Sequence, residues 1–143
     1  MRSCGVDDKL IEQLKRDEGW RHTAYRDSLG YLTIGCGHNL DAKGLSDRAI
    51  EVILQDDIAD AKSGLLGKWP WMRDLSSARL GAFINLAFNM GVGGLATFKH
   101  TLKAAEEGRW EDVAEGVLNS KYATQVGPRA HRVAQQLKED KWI

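Results

Sequence analysis

Two cysteines, two prolines and no net charge in 143 residues set the first limits on this chain. Cys4 stands near the N-terminus and Cys36 between two glycines. That is neither a disulfide framework nor a metal-knuckle spacing, so both read as free thiols and no cofactor or metal is implied by them. The prolines, Pro70 and Pro128, fall at breaks in the helical pattern described below. Twenty Lys and Arg balance twenty Asp and Glu, so the chain as a whole sets up no field to hold nucleic acid or an anionic membrane. The balance is uneven along the chain: residues 1–66 carry 9 basic and 12 acidic side chains, and residues 67–143 carry 11 and 8. The opening MRSCGVDDKL has no apolar run behind its arginine, which argues against a secretory signal or membrane anchor. The expected location is therefore a cytoplasm, until something releases the protein.

What is present is the make-up of a globular protein, 43% hydrophobic and 28% charged, without internal repeats or low-complexity tracts. A chain of this length buries roughly 70% of its unfolded surface, enough for a true core. Asp7 to Glu18 places Leu10, Ile11 and Leu14 at helical spacing, with Asp7 or Asp8 to cap the start and Gly19 to end it. Tyr25 to Ile34 alternates with period two around Ser28-Leu29-Gly30, which predicts a β-hairpin. Ser46 and Asp47 open a long helix whose stripe of Ala49, Ile50, Ile53, Leu54, Ile58, Ala61 and Leu65 runs to about Leu66. Trp69-Pro70-Trp71 breaks it. Ala78 to Met90 is apolar almost all round, predicting a buried central helix that Gly91 to Gly94 ends. Further helices are predicted over Thr97 to Glu107, from Trp110 to Leu118, and from Pro128 through Leu137. The fold class is α+β and mostly helical. A β-hairpin lobe over about 1–46 is joined by a helix over about 46–66 to an all-helical lobe over about 67–143, with a cleft expected between lobes.

Two carboxylates draw attention. Glu18 follows Leu14 and Ile11 on one helix face, which predicts partial burial, and it sits at the negative end of the helix dipole. Both effects favour the protonated form that a general acid needs, although a frayed, solvated helix end is the plainer alternative. Asp27 pairs across the turn with Tyr31 and shares a hairpin face with Tyr25 and Thr33, where carboxylate and hydroxyl can hold a water. The alternative is an aspartate selected for turn chemistry. One apolar, proton-holding carboxyl and one polar, ionised carboxyl together suit glycoside hydrolysis.

The run Glu18-Gly19, Tyr25, Asp27, Gly30, Tyr31, Thr33-Ile34-Gly35 and Gly37-His38 resembles the catalytic segment of the T-even phage lysozymes, glycoside hydrolase family 24. Gln55-Asp56, Ala82 to Gly91 ending in Phe88-Asn89-Met90-Gly91, and Arg129-Ala130 with Arg132-Val133 resemble further family segments in the same order. The resemblance implies a lysozyme-like fold and a muramidase cleaving the β-1,4 bond between N-acetylmuramic acid and N-acetylglucosamine of peptidoglycan. It makes Glu18 the general acid, Asp27 the carboxylate that activates water, and Thr33 the hydroxyl that helps hold it. Inversion of the anomeric centre implies carboxyl groups roughly 6.5 to 9.5 Å apart. Arg129 matches an arginine that pairs with the catalytic glutamate, and His38 with Asp56 matches a structural ion pair. Asn89, Leu32, Phe98 and Tyr122 are the implied substrate-binding positions. Asn89 reads equally as an amide for an N-acetyl group or as a helix C-terminal cap, and Tyr122 stands where an aromatic more often packs the core.

The chain departs from the family in its short Asn39–Leu45 connection, in its neutrality, and in Cys36 where an aliphatic side chain is usual. The implied partners are peptidoglycan strands and a holin-type export partner, with a monomeric protein. The competing readings are a lytic transglycosylase, which cuts the same bond without an attacking water, and an inactive glycan-binding helical module. Asp27 and Thr33 favour water and hydrolysis.

Overall fold

The computed structural model describes residues 6–143, so Cys4 lies outside the described residues. The chain divides into two compact units, one ending at Glu51 and the other beginning at Val52.

The first unit starts with α1 (Val6–Glu18), which has Asp7 and Asp8 in its first turn and Lys15 and Arg16 in its last, matching the helix dipole. Gly19, at φ +85°, ends it and donates its N–H back to Lys15 O. The strands β1 (Arg21–Arg26), β2 (Leu32–Gly35) and β3 (His38–Asn39) form an antiparallel sheet in that order. Tyr25 faces Thr33 and Arg26 faces Leu32, as the alternation predicts, and the register slips between Tyr25 and Arg21. Gly30, at φ +87°, supplies the left-handed position of the three-residue turn.

The sequence pattern shows only a bare connection after His38, where the structure has β3 and the one-turn helix α2 (Leu40–Lys43). Asn39 caps α2 by accepting from Ala42 N–H at 2.9 Å. Asp41 then reaches back to β2, its Oδ2 accepting Leu32 N–H at 2.7 Å and Arg26 Nη1 at 3.4 Å.

Ser46 caps α3 (Asp47–Lys68), accepting from Ala49 N–H at 3.2 Å. Of its apolar stripe only Leu65 is fully buried, while Ile50, Ile53, Leu54 and Ile58 are 42–50% exposed. A helix of 22 residues is about 33 Å long, and the helical core reaches only its last turns. The division between units falls inside α3, and at Trp69-Pro70-Trp71 a short 3-10 helix (Pro70–Asp74) buries Met72.

In the second unit α4 (Ser77–Ala96) is the central helix, burying Ala82, Phe83, Leu86 and Leu95. The predicted end at Gly91 is a break instead: Gly91 alone is non-helical, at φ +77° and ψ 160°, and the helix resumes to Ala96. Only glycine takes that conformation freely, so the run Gly91–Gly94 redirects the helix rather than stopping it. α5 (Lys99–Glu106), α6 (Trp110–Leu118) and α8 (Pro128–Glu139) follow the predicted pattern. The six-residue α7 (Lys121–Val126) is too short to show a period, although Ser120 caps it. Among the described residues no single helix is long and apolar enough to cross a membrane.

Arg79 binds α4 to the end of α8. Its Nε donates to Leu137 O at 2.7 Å and its Nη2 to Lys138 O at 3.2 Å, while Nη1 lies 3.6 Å from Asp140 Oδ2 and the guanidinium stacks on Trp110 at 4.1 Å. The first two bonds satisfy carbonyls that a helix end leaves orphaned. Arg79→Ala should therefore lower stability by about 2 kcal/mol in urea unfolding. Arg79→Lys should recover little of it, because an ammonium cannot reproduce the planar fork.

Candidate active site

Glu18 closes α1 with an exposed side chain, not the partly buried one that its helix face predicts. An apolar stripe buries a neighbour only where something covers the stripe, and Leu10 and Leu14 are themselves 43% and 39% exposed. The Glu18 side chain makes no hydrogen bond or ion pair among the described residues and lies along the backbone of Gly37.

Asp27 is half-buried at the mouth of the hairpin turn. Its Oδ1 accepts the N–H groups of Leu29 and Tyr31, both at 2.9 Å, while its own N–H donates to Tyr31 O at 2.9 Å. Oδ2 takes no part in the turn. One oxygen of the carboxylate thus holds the turn, and the other carries none of its hydrogen bonds. Thr33, 3% exposed, donates its hydroxyl to Tyr31 O at 2.9 Å. The Tyr31 backbone therefore joins Asp27 to Thr33, and the Thr33 oxygen, its proton committed, can act toward a ligand only as an acceptor.

The other predicted residues separate into local roles. His38 Nε2 donates to Gly44 O at 2.6 Å, which anchors the loop after α2. Asp56 lies on the exposed part of α3. Leu32 is half-buried in β2, and Asn89 is exposed on α4 shortly before the break at Gly91. Arg129 directs Nε and Nη2 onto Asn85 Oδ1, at 3.2 and 2.8 Å. Asn85 is absent from the predicted set, although an amide one helical turn before Asn89 in an apolar helix was a legible signal. Asp41 was equally legible as an acidic residue in the turn that Asn39 caps.

Phe98 and Tyr122 line a cavity of about 400 Å³ beside α5 and α6. Tyr122 is only 6% exposed and packs in the helical core, and its hydroxyl is enclosed without a hydrogen-bond partner. Cys36 is a half-buried free thiol. Among the described residues no group of three or more His, Cys, Asp or Glu side chains is placed to hold a metal ion.

The family model for phage lysozyme matches residues 15–137, which takes in the α1 end, the whole sheet and the helical unit through α8. The chain belongs to the phage lysozyme family. Probable T4-type lysozyme 1 of Dictyostelium discoideum is 29% identical over 154 residues, covering 87% of this chain and 90% of that protein. Probable T4-type lysozyme 2 of the same organism is 28% identical, with 87% and 90% covered. The pre-baseplate central spike protein of Enterobacteria phage T4 is 30% identical over 152 residues, covering 87% of this chain but 26% of the spike protein. Membership makes the chain a lysozyme-type hydrolase with an α+β, mostly helical fold.

Within this lysozyme, burial raises the Tyr122 phenol above its ordinary value of 10.0, against the opposing charges of Arg129 and Arg132. The folded state therefore holds the phenol proton more tightly than the unfolded chain. That stabilisation is complete below about pH 10 and is lost as pH rises through the folded value. Tyr122→Phe should raise stability at neutral pH by about 1 kcal/mol, because it removes an unpaired buried hydroxyl. It should also flatten the alkaline decline seen in thermal unfolding.

Proposed function

We propose that the chain is an N-acetylmuramidase, which cleaves the β-1,4 bond between N-acetylmuramic acid and N-acetylglucosamine in peptidoglycan by inverting acid/base hydrolysis. The observation that carries this reading is the division of labour in Asp27, with Oδ1 held by two backbone N–H groups and Oδ2 left for a water. A water donating one hydrogen to Asp27 Oδ2 and the other to Thr33 Oγ1 turns its lone pair toward the anomeric carbon. Glu18 protonates the glycosidic oxygen as the bond to the anomeric carbon breaks. The water oxygen bonds to that carbon from the opposite face, and its proton passes to Asp27. Glu18, left as a carboxylate, takes a proton from solvent and Asp27 gives up its own to solvent before the next turnover.

In the helical unit Arg129 is oriented by Asn85, and Asn89, exposed on α4, is the residue proposed to recognise an N-acetyl group. Two carboxylates and a water complete the chemistry, so the reaction as written uses no cofactor. Bacterial cell-wall lysis would be the result, with the protein held in a host cytoplasm until a holin-type partner opens the membrane. A virion-borne setting like that of the spike protein is the competing context. A lytic transglycosylase would need no attacking water at Asp27 Oδ2.

Glu18→Gln should slow the clearing of purified peptidoglycan by at least about a hundredfold. Comparable clearing by the two proteins would sink the role of Glu18. Asp27→Asn keeps an acceptor for the turn and should unfold near the wild-type temperature while losing clearing, whereas Asp27→Ala should lose both. Products should carry reducing muramic acid ends formed in the α configuration, read by proton NMR early in the reaction. The appearance of 1,6-anhydro ends would establish the transglycosylase instead.

A further inference from the structure

We infer that Gly37 is a positioning residue for the general acid: its lack of a side chain creates the slot in which the Glu18 carboxyl rests. The inference rests on the reading of Glu18 as the acid. Gly37 lies in the turn between β2 and β3 with φ at +73°. A Cβ at this position would stand 2.9 Å from Glu18 Oε2, 3.1 Å from Cδ and 3.2 Å from Cγ, so the whole end of the side chain runs along the glycine. No hydrogen bond or ion pair among the described residues holds that carboxyl from another direction. Its place is therefore set by the exit of α1 at Gly19 and by contact with this turn.

The contact is discriminating because a glycine two residues earlier provides a control. Gly35, which ends β2, has a similar φ of +70°, but nothing lies within 4 Å of the position its Cβ would take. Alanine at either position meets a positive φ, which disfavours any Cβ. Only at residue 37 does the new methyl meet Glu18. To restore an ordinary contact of 3.4 Å or more, the carboxyl oxygen must retreat from 2.9 Å by about half an ångström. Catalytic groups tolerate about that much displacement before rate suffers.

Gly35→Ala and Gly37→Ala form the test pair, measured as kcat and KM on soluble peptidoglycan fragments, with thermal unfolding alongside. Gly37→Ala should lose about tenfold in kcat with KM little changed. Gly35→Ala should lose similar stability and keep kcat near wild type. The stability loss from Gly37→Ala should shrink in a Glu18→Ala background, where the methyl fills vacated space, and this coupling is readable even if the single variant is barely folded. Equal kcat losses in the pair, additive stability losses, or a Gly37→Ala/Glu18→Ala protein that fails to fold while Gly35→Ala folds, would each overturn the inference. Full clearing by Glu18→Gln overturns the catalytic reading and this inference with it. An inactive Glu18→Gln beside a fully active Gly37→Ala overturns the inference alone.

Discussion

The sheet unit depends on one oxygen atom. Asp27 Oδ1 receives two backbone N–H groups that a tight three-residue turn would otherwise leave to water. With those donors satisfied, the turn sets the register that places Tyr25 opposite Thr33 and directs the Tyr31 carbonyl at the Thr33 hydroxyl. Truncating this side chain would therefore remove a fold determinant, whereas an amide in its place keeps an oxygen for the same two donors.

The helical unit solves a different problem. Its core is built around α4, nearly apolar on every side, so each polar group on that helix must find a partner or face solvent. Asn85 meets Arg129, while Asn89 reaches the surface just ahead of the redirection at Gly91. The buried Tyr122 hydroxyl, without a partner, is the exception among these contacts. The nearby arginines do not offset the burial that holds its proton in place.

Much of this arrangement is legible in the sequence, and what is not has a physical reason. Elements long enough to display a period can be read directly: α1, the hairpin, α3, the first part of α4, and α8. The two-residue β3, α2 and α7 are too short for periodicity and are signalled only by their caps, Asn39 and Ser120. Spacing alone gives Asp27 two competing roles, and the geometry shows the turn role at Oδ1. The exposure of Glu18 is beyond sequence reading because a helical pattern says which residues share a face and not whether that face is covered. Gly37 is conspicuous as a glycine, but its neighbour across the turn emerges only in three dimensions.

The bond from Arg79 to the carbonyl of Leu137 spans 58 residues of chain. A contact of that separation must close a long loop before it contributes, so it forms after the local contacts of the helices it joins. During synthesis α4 emerges well before α8, and its apolar surface has to wait for the later helix to arrive. Until then the nascent chain presents to solvent the very face that becomes the core. The late clasp between Arg79 and the end of α8 thus sets when the helical unit is finished.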